Sequence, residues 1–356
     1  MERIAIFLPN WVGDVVMATP AIRAVRDRYP SAELVAVCKP YVADVVAGAP
    51  WFSRVIPFDK RGPRDQRLWA VARKLRGSQT EAALLFPNSF RAALAARLGG
   101  CREVVGFARY GRRFLLTKAL HATTDSRGRF VPSPVIDDYN RLAVALGAAN
   151  PGHRMELFTT VADEAAADRV WERLGLSNYP RVVGLNPGAA FGAAKHWPAE
   201  HFAALARRLT QQVGCAVLVF CGPGERDVAR RIAADSRSPH VYSLADSALS
   251  LGLTKAAVRR LDLLVTTDSG PRHFAAAFAR PVVTLFGPTF IDWTETYYDK
   301  AANLQKPVPC GPCQLRACPL DHRCMRDLSP DGVFTAAARL LTRFPLPHAR
   351  EDRRAS

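Results

Sequence analysis

The chain of 356 residues carries 49 Lys and Arg against 32 Asp and Glu, a net charge of +17, and is 49% hydrophobic. That length exceeds one typical core, so two domains are expected, and no apolar stretch reaches the ~18–20 residues that a membrane-spanning helix needs. Residues 1–9, MERIAIFLP, lack the long apolar region and cleavage site of a signal peptide and read as a buried strand, which points to the cytoplasm.

Two series of strands and helices follow in chain order. RIAIFLP (3–9), AELVAVC (32–38) and AALLFP (82–87) are short apolar runs rich in Val, Leu and Ile, with a helix over about 18–29 after the first. Such runs suit strands buried on both faces. Residues 60–130 then hold 16 Lys and Arg against 4 Asp and Glu. A solvated basic face is one reading of this stretch. An anionic lipid surface or a phosphorylated substrate is the other. Without RNA-binding aromatic motifs or a DNA-reading element, no nucleic-acid partner is expected.

The segments GAANPGHR and LGLSNYP interrupt the pattern over 148–180, where the domain join is expected. The second series is RVVGLNP (181–187), CAVLVFCG (215–222), HVYSL (240–244), LDLLVTTD (261–268) and PVVTLFG (281–287), with helices over 198–213, 225–236 and 271–279. Alternation of this kind predicts an α/β protein with two doubly wound parallel sheets facing across a cleft, ligands lying at the carboxyl ends of the strands. A helix over 331–343 and a basic tail expected to fray close the chain.

The chemically unusual residues fall at those strand ends. After the first strand, Gly13 and Asp14 lie where a loop turns into a helix. Glycine permits backbone shapes other residues resist. Asp14 is either a helix cap or a general base. NPGAAFGAAKHWP (186–198) is a small-residue loop containing Gly188 and the cation Lys195, suited to a phosphate or a leaving group. In FCGPGERD (220–227), Gly222 and Gly224 shape the turn, and Glu225 either caps the next helix or accepts hydrogen bonds from sugar hydroxyls. In TTDSGPRHFAAA (266–277), Ser269 and Gly270 open a helix whose free N–H groups suit a pyrophosphate. Asp268 would repel a phosphate and reads as a partner for hydroxyls, while His273 either meets the phosphate or fixes the loop. No G-x-G-x-x-G follows the first strand and no G-x-x-x-x-G-K-[ST] occurs, which weakens the dehydrogenase and P-loop readings.

Taken in order, WVGDVVMATPAI, PGAAFGAAKHWP, GPGERD, TTDSGPRHFAAA and LFGPT resemble glycosyltransferase family 9, the lipopolysaccharide heptosyltransferases, and among its subgroups heptosyltransferase II. The resemblance covers most of residues 3–330. It implies a GT-B fold, with an acceptor domain over 1–160 and an ADP-sugar domain over 161–330, followed by the terminal helix and tail over 331–356. It implies inverting transfer of heptose from ADP-heptose, without a metal, to the phosphorylated heptose-bearing inner core on lipid A, at the inner face of the cytoplasmic membrane. By the same resemblance Asp14 is the general base and Lys195 neutralises the leaving ADP. Glu225 and Asp268 hold donor hydroxyls; Ser269, Gly270 and His273 hold the phosphates, and Gly188 belongs to the donor site. The chain departs from some relatives in placing Ala190 and Phe191 before the lysine, where hydroxyl or acidic residues occur, and Pro271 and Arg272 after Gly270. Another nucleotide sugar as donor and a catalytically silent sugar-binding protein stay open as alternatives.

CGPCQLRACPLDHRC (310–324) places Cys310, Cys313, Cys318 and Cys324 within 15 residues. Free or disulfide-forming thiols are expected there, with a structural zinc or iron–sulfur site as the alternative. Cys38, Cys101, Cys215 and Cys221 read as small core residues.

Overall fold

The computed structural model describes residues 1–124, 126–127, 131 and 133–345. Most of the tail expected to fray lies outside the described residues. Two compact units divide the chain. The first holds Met1–Phe158 together with Asp292–Tyr297, and the second holds Thr159–Ile291 together with the chain from Tyr298 onward.

The first unit contains one parallel sheet of six strands: β1 (Arg3–Phe7), β2 (Glu33–Cys38), β3 (Arg54–Pro57), β4 (Ala82–Leu85), β5 (Glu103–Phe107) and β6 (Lys118–Leu120). Their order is β3-β2-β1-β4-β5-β6. The second sheet, of β7 (Val182–Asn186), β8 (Ala216–Val219), β9 (Val241–Ser243), β10 (Leu263–Thr267), β11 (Val282–Phe286) and β12 (Ala301–Gln305), runs β12-β11-β10-β7-β8-β9. Each is the doubly wound order in which the first strand of the unit lies beside the fourth. The direction of winding reverses between β1 and β4, and again between β7 and β10. The α/β class expected from the alternation is therefore found in both units.

The central strands are buried throughout, as Val- and Leu-rich strands covered on both faces must be. One face of the first sheet packs Phe7, Val35 and Leu85 against Val71, Leu75, Ala92, Ala96 and Leu115 from the helices and turns over it. Among the described residues no helix is long and apolar enough to cross a membrane.

Four strands had no counterpart in the sequence reading: β3, β5, β6 and β12. The helix expected over 18–29 is found as Thr19–Arg28, and a separate short helix, Val12–Met17, precedes it. The break has a local cause. Pro20 has no N–H to give the Val16 carbonyl, and the Thr19 hydroxyl donates to that carbonyl instead, at 2.7 Å.

Candidate active site

In the first unit, Asp14 sits in the first turn of Val12–Met17, directly beyond β1, and is half-buried. A carboxylate there is favoured by the amino-terminal end of the helix dipole. Its charge reaches two phenols. Burial, then Asp14, then Asp138 push the Tyr139 hydroxyl well above its usual range. Burial, with Asp59 and Asp14, raises Tyr41.

Beside this turn, the loop after β4 is fixed by a residue that sequence reasoning missed. Arg112 is fully buried. Its guanidinium donates to the carbonyls of Phe107 (3.0 Å), Pro87 (2.7 Å) and Ser89 (3.0 Å) and to Asn88 Oδ1 (3.0 Å). Burial lowers its pKa to about 10. One cation of the basic stretch is thus internal structure. Nothing in GRRFLL distinguishes Arg112 from its exposed neighbour Arg113.

In the second unit, the loops after β7 and β10 meet at the reversal of winding. Asn186, the last residue of β7, donates to Thr266 Oγ1 and Ser269 Oγ, each at 3.0 Å, and to the Gly188 carbonyl at 3.3 Å. Thr267 Oγ1 donates to the same carbonyl at 2.7 Å. This buried net aligns the two loops. Ser269, the N-cap of helix Gly270–Ala277, turns its hydroxyl into the net and makes no side-chain cap bond to its own helix. Asn186, Thr266 and Thr267 were absent from the sequence-derived site, since their side chains act on backbone and on one another across 80 residues of chain.

Lys195 lies on the far side of the loop and is 8% exposed. Its Nζ donates to the Asp268 carbonyl at 2.9 Å and to Asp268 Oδ2 at 2.5 Å. Arg272, 4% exposed, meets Asp268 Oδ1 at 3.3 Å, and Thr289 Oγ1 donates to Oδ2 at 2.8 Å. Burial alone would raise the Asp268 carboxyl. Lys195 and Arg272, helped by the hydrogen bonds from Lys195 and Thr289, hold it at about 2. Burial and the neighbouring Arg272 charge keep His273 neutral. The cluster therefore holds two cations and one anion in a desolvated place, an excess of positive charge that an anionic ligand would compensate. The carboxylate expected to meet sugar hydroxyls instead faces Lys195, Arg272 and Thr289.

Glu225 ends the short turn Pro223–Glu225 and accepts the Gly222 N–H at 2.7 Å, while it makes no side-chain cap bond to the helix Arg226–Asp235 that follows. The carboxylate also covers Gly188, where an added Cβ would stand 2.2 Å from Oε2. Glu225 so ties the loop after β8 to the loop after β7.

The expected glycine freedom is used elsewhere than anticipated. Gly13, Gly188, Gly222, Gly224 and Gly270 all have ordinary backbone angles, and the position with positive φ in the lysine loop is Gly192, at 154°. A Cβ there would lie 2.4 Å from the Arg316 carbonyl. Gly13 lies within a helix, and a side chain at Gly224 would meet open space, so neither turn depends on the missing side chain in the way assumed.

The cysteine-rich segment explains that close approach. The Arg316 carbonyl accepts the Ala194 N–H at 3.0 Å, and His322 Nε2 donates to the Ala194 carbonyl at 2.8 Å. Arg316 and Lys195 both lie over the Phe191 ring, at 5.6 and 4.8 Å from its centroid. Gln314 N–H donates to the Pro288 carbonyl at 2.8 Å, next to Thr289. The segment thus backs both loops that carry the charged cluster. All eight cysteines are free thiols, with Cys310 and Cys313 exposed and Cys324 buried. Burial pushes Cys38, Cys101 and Cys215 up to about 12, as inert core thiols. Among the described residues no group of three or more His, Cys, Asp or Glu is disposed to hold a metal ion.

Known proteins share this architecture over nearly the whole chain. Lipooligosaccharide heptosyltransferase 2 of Campylobacter jejuni is 27% identical over 346 residues, which cover 95% of this chain and 98% of that protein. Lipopolysaccharide heptosyltransferase 2 of Escherichia coli K12 is 26% identical over 350 residues, 95% of this chain and 98% of that one. The solved structure of the E. coli ADP-heptose lipopolysaccharide heptosyltransferase II superposes with a TM-score of 0.76 at 25% identity, covering 96% and 99% of the two chains. The family model "Glycosyltransferase family 9 (heptosyltransferase)" matches residues 68–323, which span the buried Asn186 net, Lys195, Asp268 and the cysteine-rich segment that backs them. With well over half of its length matched, and a charged cluster at the strand ends where that fold binds ligands, the chain belongs to glycosyltransferase family 9 and is a glycosyltransferase.

Proposed function

We propose that the protein transfers heptose from ADP-heptose to the inner core of a lipopolysaccharide, with inversion at the sugar carbon. The observation that carries this reading is the buried Lys195–Asp268–Arg272 cluster, with its excess positive charge, at the carboxyl ends of β7 and β10. A nucleoside diphosphate is the anion that such a cluster suits, because negative charge builds on the diphosphate as the sugar leaves.

In this reading Asp14 takes the proton of the acceptor hydroxyl while that oxygen attacks the anomeric carbon from the face opposite ADP. The bond from carbon to diphosphate oxygen breaks, and its electron pair departs with ADP. Lys195 and Arg272 neutralise the charge on the departing group, with the N–H groups opening helix Gly270–Ala277 beside them. Ser269, Gly270 and His273 shape the phosphate site, Gly188 lets the chain come close, and Glu225 holds donor hydroxyls. Asp268 keeps the two cations in place before the donor arrives. The first unit carries the acceptor and the second the ADP-sugar. The acceptor is a heptose-bearing, phosphorylated core on lipid A, which the basic amino-terminal stretch suits. The enzyme works at the inner leaflet of the cytoplasmic membrane as a peripheral protein.

The test is release of ADP from ADP-heptose in the presence of a heptosylated lipid A acceptor, with wild type and Asp14→Ala side by side. Acceptor-dependent release that falls by about 10²–10⁴-fold in the variant supports both the reaction and the base. ADP release without any dependence on acceptor would exclude transfer to that acceptor.

A further inference from the structure

One side of the first unit has an outer surface that the chemistry above leaves unexplained. Helices Leu68–Gly77 and Phe90–Leu98, with the short turns Arg64–Gln66 and Arg113–Leu115, pack against one another over the sheet. Their inner sides supply Val71, Leu75, Ala92, Ala96 and Leu115 to the core. Their outer side carries Trp69 at 68% exposure and Phe114 at 72%, with Tyr110 at 77% in the adjoining turn and Phe90 at 43%. The Phe90 and Phe114 rings lie 6.0 Å apart and so form a joint apolar surface. A single exposed apolar residue is ordinary, but several large rings on one layer of helices mark a contact surface.

The same layer is basic. Arg73 shares the helix face of Trp69, four residues on. Arg91 follows Phe90 and Arg113 precedes Phe114, and all three arginines are exposed. The stretch holds only 4 acidic residues against 16 basic ones. Aromatic rings settle at the headgroup level of a bilayer, where an apolar body and a polar surrounding are both satisfied. Arginine pairs with lipid phosphate, and a negatively charged leaflet draws cationic segments toward it.

We propose that this face, built around Trp69, Tyr110 and Phe114 and ringed by Arg73, Arg91 and Arg113, docks the enzyme on an anionic bilayer. The proposal rests on the reading of the acceptor as lipid-linked, and it assigns the surface through which the protein reaches that acceptor. The rings enter the headgroup region and the arginines sit among the phosphates. No residue of the charged donor cluster takes part.

The experiment is sedimentation of the full chain with phosphatidylcholine vesicles, with and without phosphatidylglycerol, at low and high salt. Wild type pellets with the anionic vesicles at low salt and is released by salt. Replacing Trp69, Tyr110 and Phe114 together by Ser abolishes pelleting. Arg73→Gln and Arg113→Gln each weaken it roughly fivefold. The Ser variant retains the wild-type circular dichroism spectrum and transfer to detergent-dispersed acceptor, which separates failure of docking from failure of the proposed function. Wild type that ignores anionic vesicles, or binds only those carrying the acceptor, overturns the proposal. So does a Ser variant that still pellets, or one that loses self-association instead. Preference for a single-stranded oligonucleotide over vesicles overturns it as well.

Discussion

Substituting Lys195 by Met removes one cation from a buried cluster and keeps the volume of the side chain. In the wild type, Asp268 is held at about 2 against an ordinary 3.8. At about 1.4 kcal/mol per pH unit, the ionised carboxylate contributes on the order of 2 kcal/mol near neutral pH. A depressed pKa means that the contribution is complete above about pH 4 and is lost as pH falls toward about 2. In Lys195→Met, Asp268 keeps Arg272 and Thr289 against its burial, and its pKa rises from about 2. The variant's native state then takes up this proton at a higher pH than the wild type's, so the variant gains stability relative to wild type as pH falls from 7 to 3. Breaking the buried pair costs about 3–5 kcal/mol at pH 7. Urea unfolding at both pH values measures this, provided that the slope against denaturant is unchanged. Adding Asp268→Asn to the variant recovers part of the loss, giving a coupling energy of about 1–3 kcal/mol. The reasoning is refuted by additive single effects, or by a Lys195→Met penalty that is the same at pH 3 and pH 7. Transfer falls by about 10²–10³-fold in Lys195→Met, the scale of losing one charge-stabilising contact.

Asp14→Asn removes a proton acceptor but keeps the side-chain shape; transfer falls as in the alanine variant, while stability drops by about 0.5 kcal/mol from the lost interaction with the helix dipole. Gly192→Ala drives a Cβ against the Arg316 carbonyl, so we expect donor KM to rise and the melting temperature to fall together. His322 sits at φ 59°. His322→Asn tolerates that backbone but is too short to reach the Ala194 carbonyl, whereas His322→Gln restores a donor; donor KM should rise about fivefold in the first and recover in the second, since a lost hydrogen bond is worth about 1 kcal/mol. Iodoacetamide followed by mass spectrometry should label Cys310 and Cys313 rapidly and leave Cys38, Cys101 and Cys215 unmodified. Elemental analysis of protein purified without added metal should find substoichiometric zinc and iron; one full equivalent would mean that the four clustered cysteines bind it.

The fold class was legible because strands buried on both faces must be apolar throughout. β1, β2, β4, β7, β8, β10 and β11 read directly as Val-, Leu- and Ala-rich runs. The strands that escaped notice are mostly at or near sheet edges, where no such run is required. β3 ends in Pro57, β6 is three residues beginning with Lys118, and β12 is half-buried along its length. β5 lies deeper, but EVVGF offers too short an apolar run to stand out from the basic stretch around it.

At the site, the sequence by itself determined which residue types gather at the strand ends. Asp14, Lys195, Glu225, Asp268 and His273 are conspicuous because such groups interrupt apolar runs and glycine-rich turns. The tertiary structure decided which of them meet. Lys195 and Asp268 are 73 positions apart, and only the adjacency of β7 and β10 brings them to 2.5 Å. The same adjacency brings Asn186 to Thr266 and Ser269, while the pairing of β10 with β11 brings Thr289 to Asp268. Arg112 is the sharpest case. Its identity as a cation is written in the chain, but whether a cation faces water or backbone carbonyls depends on what surrounds it, and the fold alone supplies those surroundings.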